Sequence, residues 1–298
     1  MRAGETRDAT PLLRHGLELA LVGVAAIWGA TFVTVKEAVA RVPVFEFIAM
    51  RFLLAAILMS MVFWRQVRSL DRDGWRAGLL AGLTLFAGYA FQTTGLQYTK
   101  ASNAGFVTGL FVVFAPLFAS VFLRRVPSAG PFAGVVLATI GLALLSLTHG
   151  FHVRYGDAIV LLAAVSFAVQ IVILARYAPE HSPAALASVQ LWVAAVLATL
   201  VSAVFEAHRT PADPDVWHAV LITGVLASAV AFYVQTLAQR YVSPTRTAVI
   251  LVSEPAFAGL FGIVLLDETL TARGWLGAGL ILVAMLVTEL FPQRAAEG

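Results

Sequence analysis

Ten long apolar stretches, separated by short polar connections, occupy most of this sequence: 17–35, 45–65, 76–97, 102–123, 129–148, 157–175, 184–205, 217–239, 245–266 and 273–291. A helix needs about 20 mainly apolar residues, at about 1.5 Å each, to cross about 30 Å of hydrocarbon. Each stretch meets that length. The pattern predicts an all-α integral membrane protein of ten transmembrane helices. Charge points the same way. Only 12% of residues are charged and 60% are hydrophobic, against about 25% and about 45–50% in a soluble chain. Such a chain cannot clothe itself for water, so its main partner is the lipid bilayer.

The connections carry turn formers, as in Arg41-Val42-Pro43, Pro127-Ser128, Ser182-Pro183 and Thr210-Pro211-Ala212-Asp213-Pro214. No segment reads as a soluble domain. The first stretch has a basic lead in Arg14, but it also holds Glu18 and lacks a small-x-small site before Thr31. It is expected to be an uncleaved span rather than a signal peptide.

Several chemistries are excluded or disfavoured. The chain has no cysteine, so disulfides, thiolate metal sites and cysteine nucleophiles are out. His149 and His152 stand three apart, a spacing that two polar loop residues explain without a metal. No HExxH, GxSxG, Walker or dinucleotide motif is present. An enzyme would want a clustered nucleophile and base or a metal set, so the expectation is no enzyme and no cofactor. The formal charge is +3, but no basic cluster is interleaved with aromatics, and nucleic acid is not an expected partner.

Lys and Arg set the expected orientation. With a cytoplasmic N-terminus, thirteen of them fall on the cytoplasmic side and six on the other, Lys36, Arg41, Lys100, Arg154, Arg209 and Arg273. Both termini are then cytoplasmic and the chain is multi-pass in the inner membrane.

The two halves resemble each other. Gln92 and Gln235 stand 143 residues apart, as do Tyr98 and Tyr241, and Gly134 and Gly277. Pro116 and Pro255 stand 139 apart, as do Arg51 and Gln190, and Trp28 and Phe167. The two offsets differ by one helical turn. Five spans per repeat is an odd number, so the second half, 151–298, enters the membrane inverted relative to the first, 1–150. Inverted repeats around a midplane site are the architecture of many secondary transporters.

These features resemble the drug/metabolite transporter superfamily, in its ten-span EamA type. The carriers are Ala26-Ile27-Trp28-Gly29-Ala30-Thr31-Phe32, Arg51-Phe52-Leu53-Leu54-Ala55, and the closing pattern Glu254-Pro255-Ala256-Phe257, Leu266-Asp267-Glu268-Thr269-Leu270 and Gly274-Trp275-Leu276-Gly277. The first half departs from it with Arg124-Arg125-Val126-Pro127 where an Asp-Glu pair is expected. The resemblance covers nearly the whole chain. It implies transport, usually export, of small metabolites, amino acids or drugs, and it fixes no substrate.

Polar groups at membrane depth are costly and are functional candidates by default. Glu254 falls near the middle of the ninth stretch; it could be neutral, paired, proton-binding, or a lock between helices. Pro255 beside it removes a backbone hydrogen bond, and with Pro116 it forms a candidate hinge pair. Arg51 could pair with Glu254, attract an anionic substrate group, or snorkel to the interface. Glu46, Asp157 and Glu206 fall at span ends and are expected to be interfacial. Ser228, Phe232, Gln235 and Gln239 share one helical face, with Tyr89 and Gln92 as counterparts, and this face lines a cavity or binds a neighbouring helix. Asn103, the only asparagine, opens the fourth stretch. Trp28 and Phe111 could stack a substrate or simply pack. Gly78/Gly82 and Gly105/Gly109 suit close helix contact. The sequence thus predicts a secondary transporter of a small molecule by alternating access, with coupling protons or a facilitative mechanism both open. The competing reading is a non-transport membrane protein.

Overall fold

The computed structural model describes residues 10–99, 101–123, 129–146, 155–206, 213–257, 260–261 and 271–290. Every element among them is helical. In order they are α1 (Pro11–Val39), α2 (Val44–Arg68), α3 (Arg72–Leu96), α4 (Ala101–Gly109), α5 (Phe111–Phe122), α6 (Ala129–Ser146), α7 (Tyr155–Tyr177), α8 (Pro183–Phe205) and α9 (Pro214–Gly224). A π-helical turn over Val225–Val230 then leads into α10 (Ala231–Ala238), followed by α11 (Pro244–Leu251) and α12 (Ala272–Leu290). His149 and His152 lie outside the described residues.

Helix starts are written locally. Thr10-Pro11, Ser182-Pro183, Asp213-Pro214 and Ser243-Pro244 open α1, α8, α9 and α11. In each pair the first side chain accepts a backbone N–H of the first turn. Proline follows where its missing N–H has no helical partner to lose. Asp71 does the same for α3, accepting from the Gly74 N–H at 2.8 Å, with His181 Nε2 at 3.1 Å from the same oxygen. The Gly74 bond, aided by His181, outweighs partial desolvation and holds the Asp71 carboxyl below the usual carboxylate range.

Six helical stretches are long and apolar enough to cross a membrane: α1, α2, α3, α7, α8 and Pro214–Ala238. Shorter apolar stretches run over Val107–Phe122, Phe132–Leu144 and Ala272–Val287. The predicted fourth and ninth stretches are interrupted. The fourth breaks at Leu110, between α4 and α5. The ninth breaks at Val252–Ser253, before a helical turn over 254–257. Large apolar side chains such as Leu19, Met61, Leu200 and Leu286 stand more than half exposed on the outside. That surface suits lipid and not water.

The helices of the two halves pack on one another: α2 on α8, α3 on α7 and α8, and α6 on α12. Gly78 and Gly82 make the α3–α8 seam possible. A Cβ on Gly78 would stand 2.6 Å from Val189 Cγ1, and one on Gly82 would stand 2.5 Å from Val193 Cβ and 2.9 Å from the Gln190 carbonyl. Gly109 is filled in the same way by Leu142, whereas Gly105 faces open space and is no packing contact.

Of the acids at span ends, Glu46 and Asp157 are buried within the protein and Glu206 is half-buried. Asp157 accepts from the Thr99 hydroxyl. Glu206, at the end of α8, accepts the N–H groups of Phe45 and Glu46 at 3.0 and 2.9 Å, supplying the start of α2 with the acceptors it lacks. Beside it Arg41 Nη1 stands 2.7 Å from Asp213 and 2.9 Å from Asp215. At the other end of α1, buried Glu18 lies 2.8 Å from Arg246 Nε.

Gly82→Val is expected to destabilise the folded protein by about 1–3 kcal/mol through overpacking, while Gly105→Ala should be neutral or stabilising; thermal unfolding in detergent reads both. The lowered Asp71 carboxyl contributes stability that is complete above the ordinary Asp range and is lost as pH falls through its folded value. Wild type should therefore lose Tm more steeply than Asp71→Asn as the medium is acidified below that range. Parallel curves would remove Asp71 from the pH dependence.

Candidate functional site

The π turn creates the first element of the site. Gly224 lets α9 come close to α2, since a Cβ there would stand 3.0 Å from the Arg51 carbonyl and 2.8 Å from Leu54. The following wide turn changes the helical register. It presents the Ala227 carbonyl to the Trp28 indole N–H at 2.9 Å. It also presents Ser228 Oγ to Arg51, whose Nε and Nη2 donate at 3.1 and 3.0 Å. Arg51 is only 3% exposed. Its guanidinium lies over the Tyr89 ring at 4.9 Å and near the Phe52 ring at 5.2 Å, within cation–π range. It neither snorkels nor forms an ion pair within 4.0 Å among the described residues, because the π turn and the rings hold it inward.

Around this anchor lies a cavity of about 730 Å³, counting its opening. Its walls come from both halves. Trp28 and Thr31 enter from α1, Arg51 from α2, Tyr89, Gln92 and Thr93 from α3, and Thr108 and Phe111 from α4 and α5. Phe167 and Gln170 enter from α7, Phe232 and Gln235 from α10, and Glu254 from the turn after α11. The aromatic walls brace each other: Trp28–Phe232 at 5.5 Å, and Tyr89 edge-on to Phe167 at 5.4 Å and to Phe52 at 4.9 Å. One wall is thus cationic, another carries a carboxyl, and rings and amides fill the space between.

The amides are wired together. Gln92 donates to Thr108 at 3.2 Å. Gln235 Nε2 donates to Gln170 Oε1 at 3.1 Å, Gln170 Nε2 to Gln190 Oε1 at 3.0 Å, and Gln190 Nε2 to Thr236 Oγ1 at 3.1 Å. The Thr236 hydroxyl donates to the Phe232 carbonyl at 2.6 Å. All four members are at most 2% exposed.

Of the residues singled out in the sequence, Glu254, Arg51, Gln92, Gln235, Tyr89, Trp28, Phe111 and Phe232 share this cavity. Ser228 and Gln239 do not reach its wall. The π turn breaks the single stripe expected along this span, so Ser228 turns to Arg51, and Gln239 donates to the Ile171 carbonyl at 2.7 Å. Asn103 belongs to α4, but its side chain lies outside the described residues. Pro116 sits inside an unbroken α5, six residues past the interruption at Leu110. Pro255 follows the interruption at Val252–Ser253 and so occupies the first turn of the next segment instead of kinking a continuous helix. Gln170, Gln190, Thr236 and Thr108 were not singled out as site residues; each is a polar residue deep in a predicted span, the one signal that could have found them.

The sequence and the fold match known proteins. Residues 16–147 and 154–290 each match the EamA-like transporter family. The chain belongs to that family and is a multi-pass membrane transporter. It is 35% identical over 274 residues to an uncharacterized transporter of Archaeoglobus fulgidus, covering 92% of this chain and 85% of that one. It is 32% identical over 192 residues to the threonine/homoserine exporter RhtA of Escherichia coli, 61% of each chain. A crystal structure at 19% identity superposes with a TM-score of 0.78 over 92% of this chain and 96% of that one, showing the same fold.

Ser228→Ala should leave the buried Arg51 guanidinium without its hydroxyl acceptor. A hydrogen bond to a charged group is worth about 1.5–3 kcal/mol, so thermal unfolding should move down clearly, and Ser228→Thr should recover most of the loss. An unchanged Tm in the alanine variant would remove this anchor from the account.

Proposed function

We propose that the chain is a secondary transporter that exports small metabolites, amino acids foremost, across the cytoplasmic membrane by alternating access. The observation that carries this reading is the cavity, which is lined from both halves and sets Arg51 and Glu254 among aromatic walls. A free amino acid presents a carboxylate and an ammonium on a small body, and these two residues offer each a partner. In this reading Arg51 takes the carboxylate and Glu254 the ammonium or a coupling proton. Trp28, Tyr89 and Phe232 flank the cargo, while Gln92 and Gln235 bond its polar atoms. Asn103 remains a candidate at the start of the fourth span. Ser228 and Gln239 act by holding the wall and not by touching cargo. The name of the RhtA relative adds support for amino acids as the class.

The architecture in this reading is ten spans, built as inverted repeats over 1–150 and 151–298, with both termini cytoplasmic. The family matches twice, once in each half. The interruptions after Gly109 and after Leu251 fall nearly the same 143 residues apart as the Gln92/Gln235 pair. Two broken helices facing one cavity are the places where the halves can bend as access switches sides, with Pro116 and Pro255 as the nearby hinges.

Proteoliposomes preloaded with labelled L-threonine, serine or homoserine test the reading. Wild type should release at least one of them, and Glu254→Gln should slow release or abolish its pH dependence. A wild-type rate and pH profile in that variant, at normal expression, would overturn the role of Glu254. A thermal-shift panel of amino acids, sugars, nucleosides and cationic drugs decides the class, since a ligand of the folded state raises its stability. Stabilisation by members of another class alone would overturn amino acids as cargo. Reporter fusions at the two ends should both report cytoplasm.

A further inference from the structure

The direction of the amide relay is fixed by its last link. The Phe232 carbonyl can only accept, so the Thr236 hydroxyl spends its single proton there. Thr236 Oγ1 must then accept from Gln190, which orients that amide. Gln190 Oε1 is left to accept from Gln170, and Gln170 Oε1 to accept from Gln235. Each carboxamide is forced into one of its two flips by the link behind it. The chain of constraint ends on Gln235, whose Nε2 is committed to Gln170 and whose Oε1 receives no hydrogen bond among the described residues. Gln235 lines the cavity and is 2% exposed. A buried acceptor without a donor is costly, so a donor at this point is worth more than one in water.

We propose that Gln170, Gln190 and Thr236 are positioning residues that hold Gln235 Oε1 as an oriented acceptor for an N–H of the cargo, so that the site prefers an ammonium bearing N–H groups over a quaternary one of equal charge. This rests on the transport reading of the same cavity. The faces of Trp28 and Phe232 attract any small cation and do not distinguish these two; a hydrogen-bond acceptor does, and Gln235 Oε1 adds an oriented one to the carboxyl of Glu254. Discrimination by an oriented buried acceptor exceeds discrimination by shape, because the wrong ligand leaves the oxygen bare.

The relay also differs between the halves. At the offsets of 139 and 143, Gln170, Gln190, Gln235 and Thr236 correspond to Thr31, Arg51, Gln92 and Thr93. The position that carries the relay's central amide in one half thus carries the buried guanidinium in the other. One half offers a cation to the cargo and the other an oriented acceptor, and a zwitterion is the molecule that uses both.

The test compares binding of L-threonine and of N,N,N-trimethyl-L-threonine, which carry the same charges with and without N–H donors. Wild type should prefer threonine, and in Gln235→Leu the preference should shrink by about tenfold, the loss of one hydrogen bond to a charged group. Thr236→Val, which releases the relay without touching the cavity, should lose part of the preference, and Thr236→Ser should restore it. A merely structural effect would weaken both ligands equally and leave their ratio unchanged. An unchanged ratio in Thr236→Val and Gln235→Leu overturns the proposal. A wild type that binds neither ligand overturns the amino-acid reading instead. In that event protein labelled with 15N at glutamine side chains decides the relay by itself: Gln190→Leu should move the side-chain signal of Gln235, and Thr236→Val that of Gln170, each one link removed from the substituted residue in the hydrogen-bond chain. Signals that stay in place overturn the relay.

Discussion

Lipid gives a buried polar group nothing to bond to, and this shortage organises the molecule. Every hydroxyl, amide or charge at membrane depth must find its partner inside the protein or leave. Serine and threonine hydroxyls along the helices turn back to carbonyls four residues earlier, as Ser188, Thr199 and Thr223 do. Trp28, Arg51 and Ser228 solve the same problem together, through the π turn. The glutamines solve it by bonding to each other. Gln235 Oε1, left over from these pairings, belongs to a residue of the cavity wall.

The shape of the cavity follows from close packing elsewhere. Gly78 and Gly82 bring α3 against α8, Gly95 and Gly156 bring α3 against α7, and Gly224 brings α9 against α2. None of these contacts adds a polar atom. They pull the walls together until the Tyr89 ring reaches both the Arg51 guanidinium and the Phe167 ring. Backbone-to-side-chain contact also leaves little for a sliding helix to catch on, so the seams that fix the cavity are also smooth ones.

Much of this was legible in the chain itself. Apolar length and the scarcity of charge gave the helical membrane architecture, and the motifs around Trp28, Arg51 and Glu254 gave the family. The residues that meet at the cavity stood out because each is polar or aromatic in an apolar run. Their partners did not. Gln170 and Gln190 are 20 residues apart, and Gln170 and Gln235 are 65 apart; no periodicity along one helix connects them. The π turn is equally silent, since Val225–Val230 contains no glycine or proline. It exists because Gly224 before it and the guanidinium across from it reward a wider turn. For the same reason a face drawn at regular helical spacing placed Ser228 and Gln239 on a wall that neither reaches.

The carboxylate of Glu206 has a consequence for motion. It is the terminal acceptor for two backbone N–H groups at the start of α2, which comes from the other half of the chain. Arg41, just before that helix, is held by Asp213 and Asp215, just beyond α8. Parting the two halves at this end uncaps a helix and frees an arginine in the same movement. The first turn of α2 carries the two capped N–H groups, and Arg41 stands just ahead of it. Helix capping and ion pairing are thus concentrated at one place on the molecule, where two segments far apart in sequence meet.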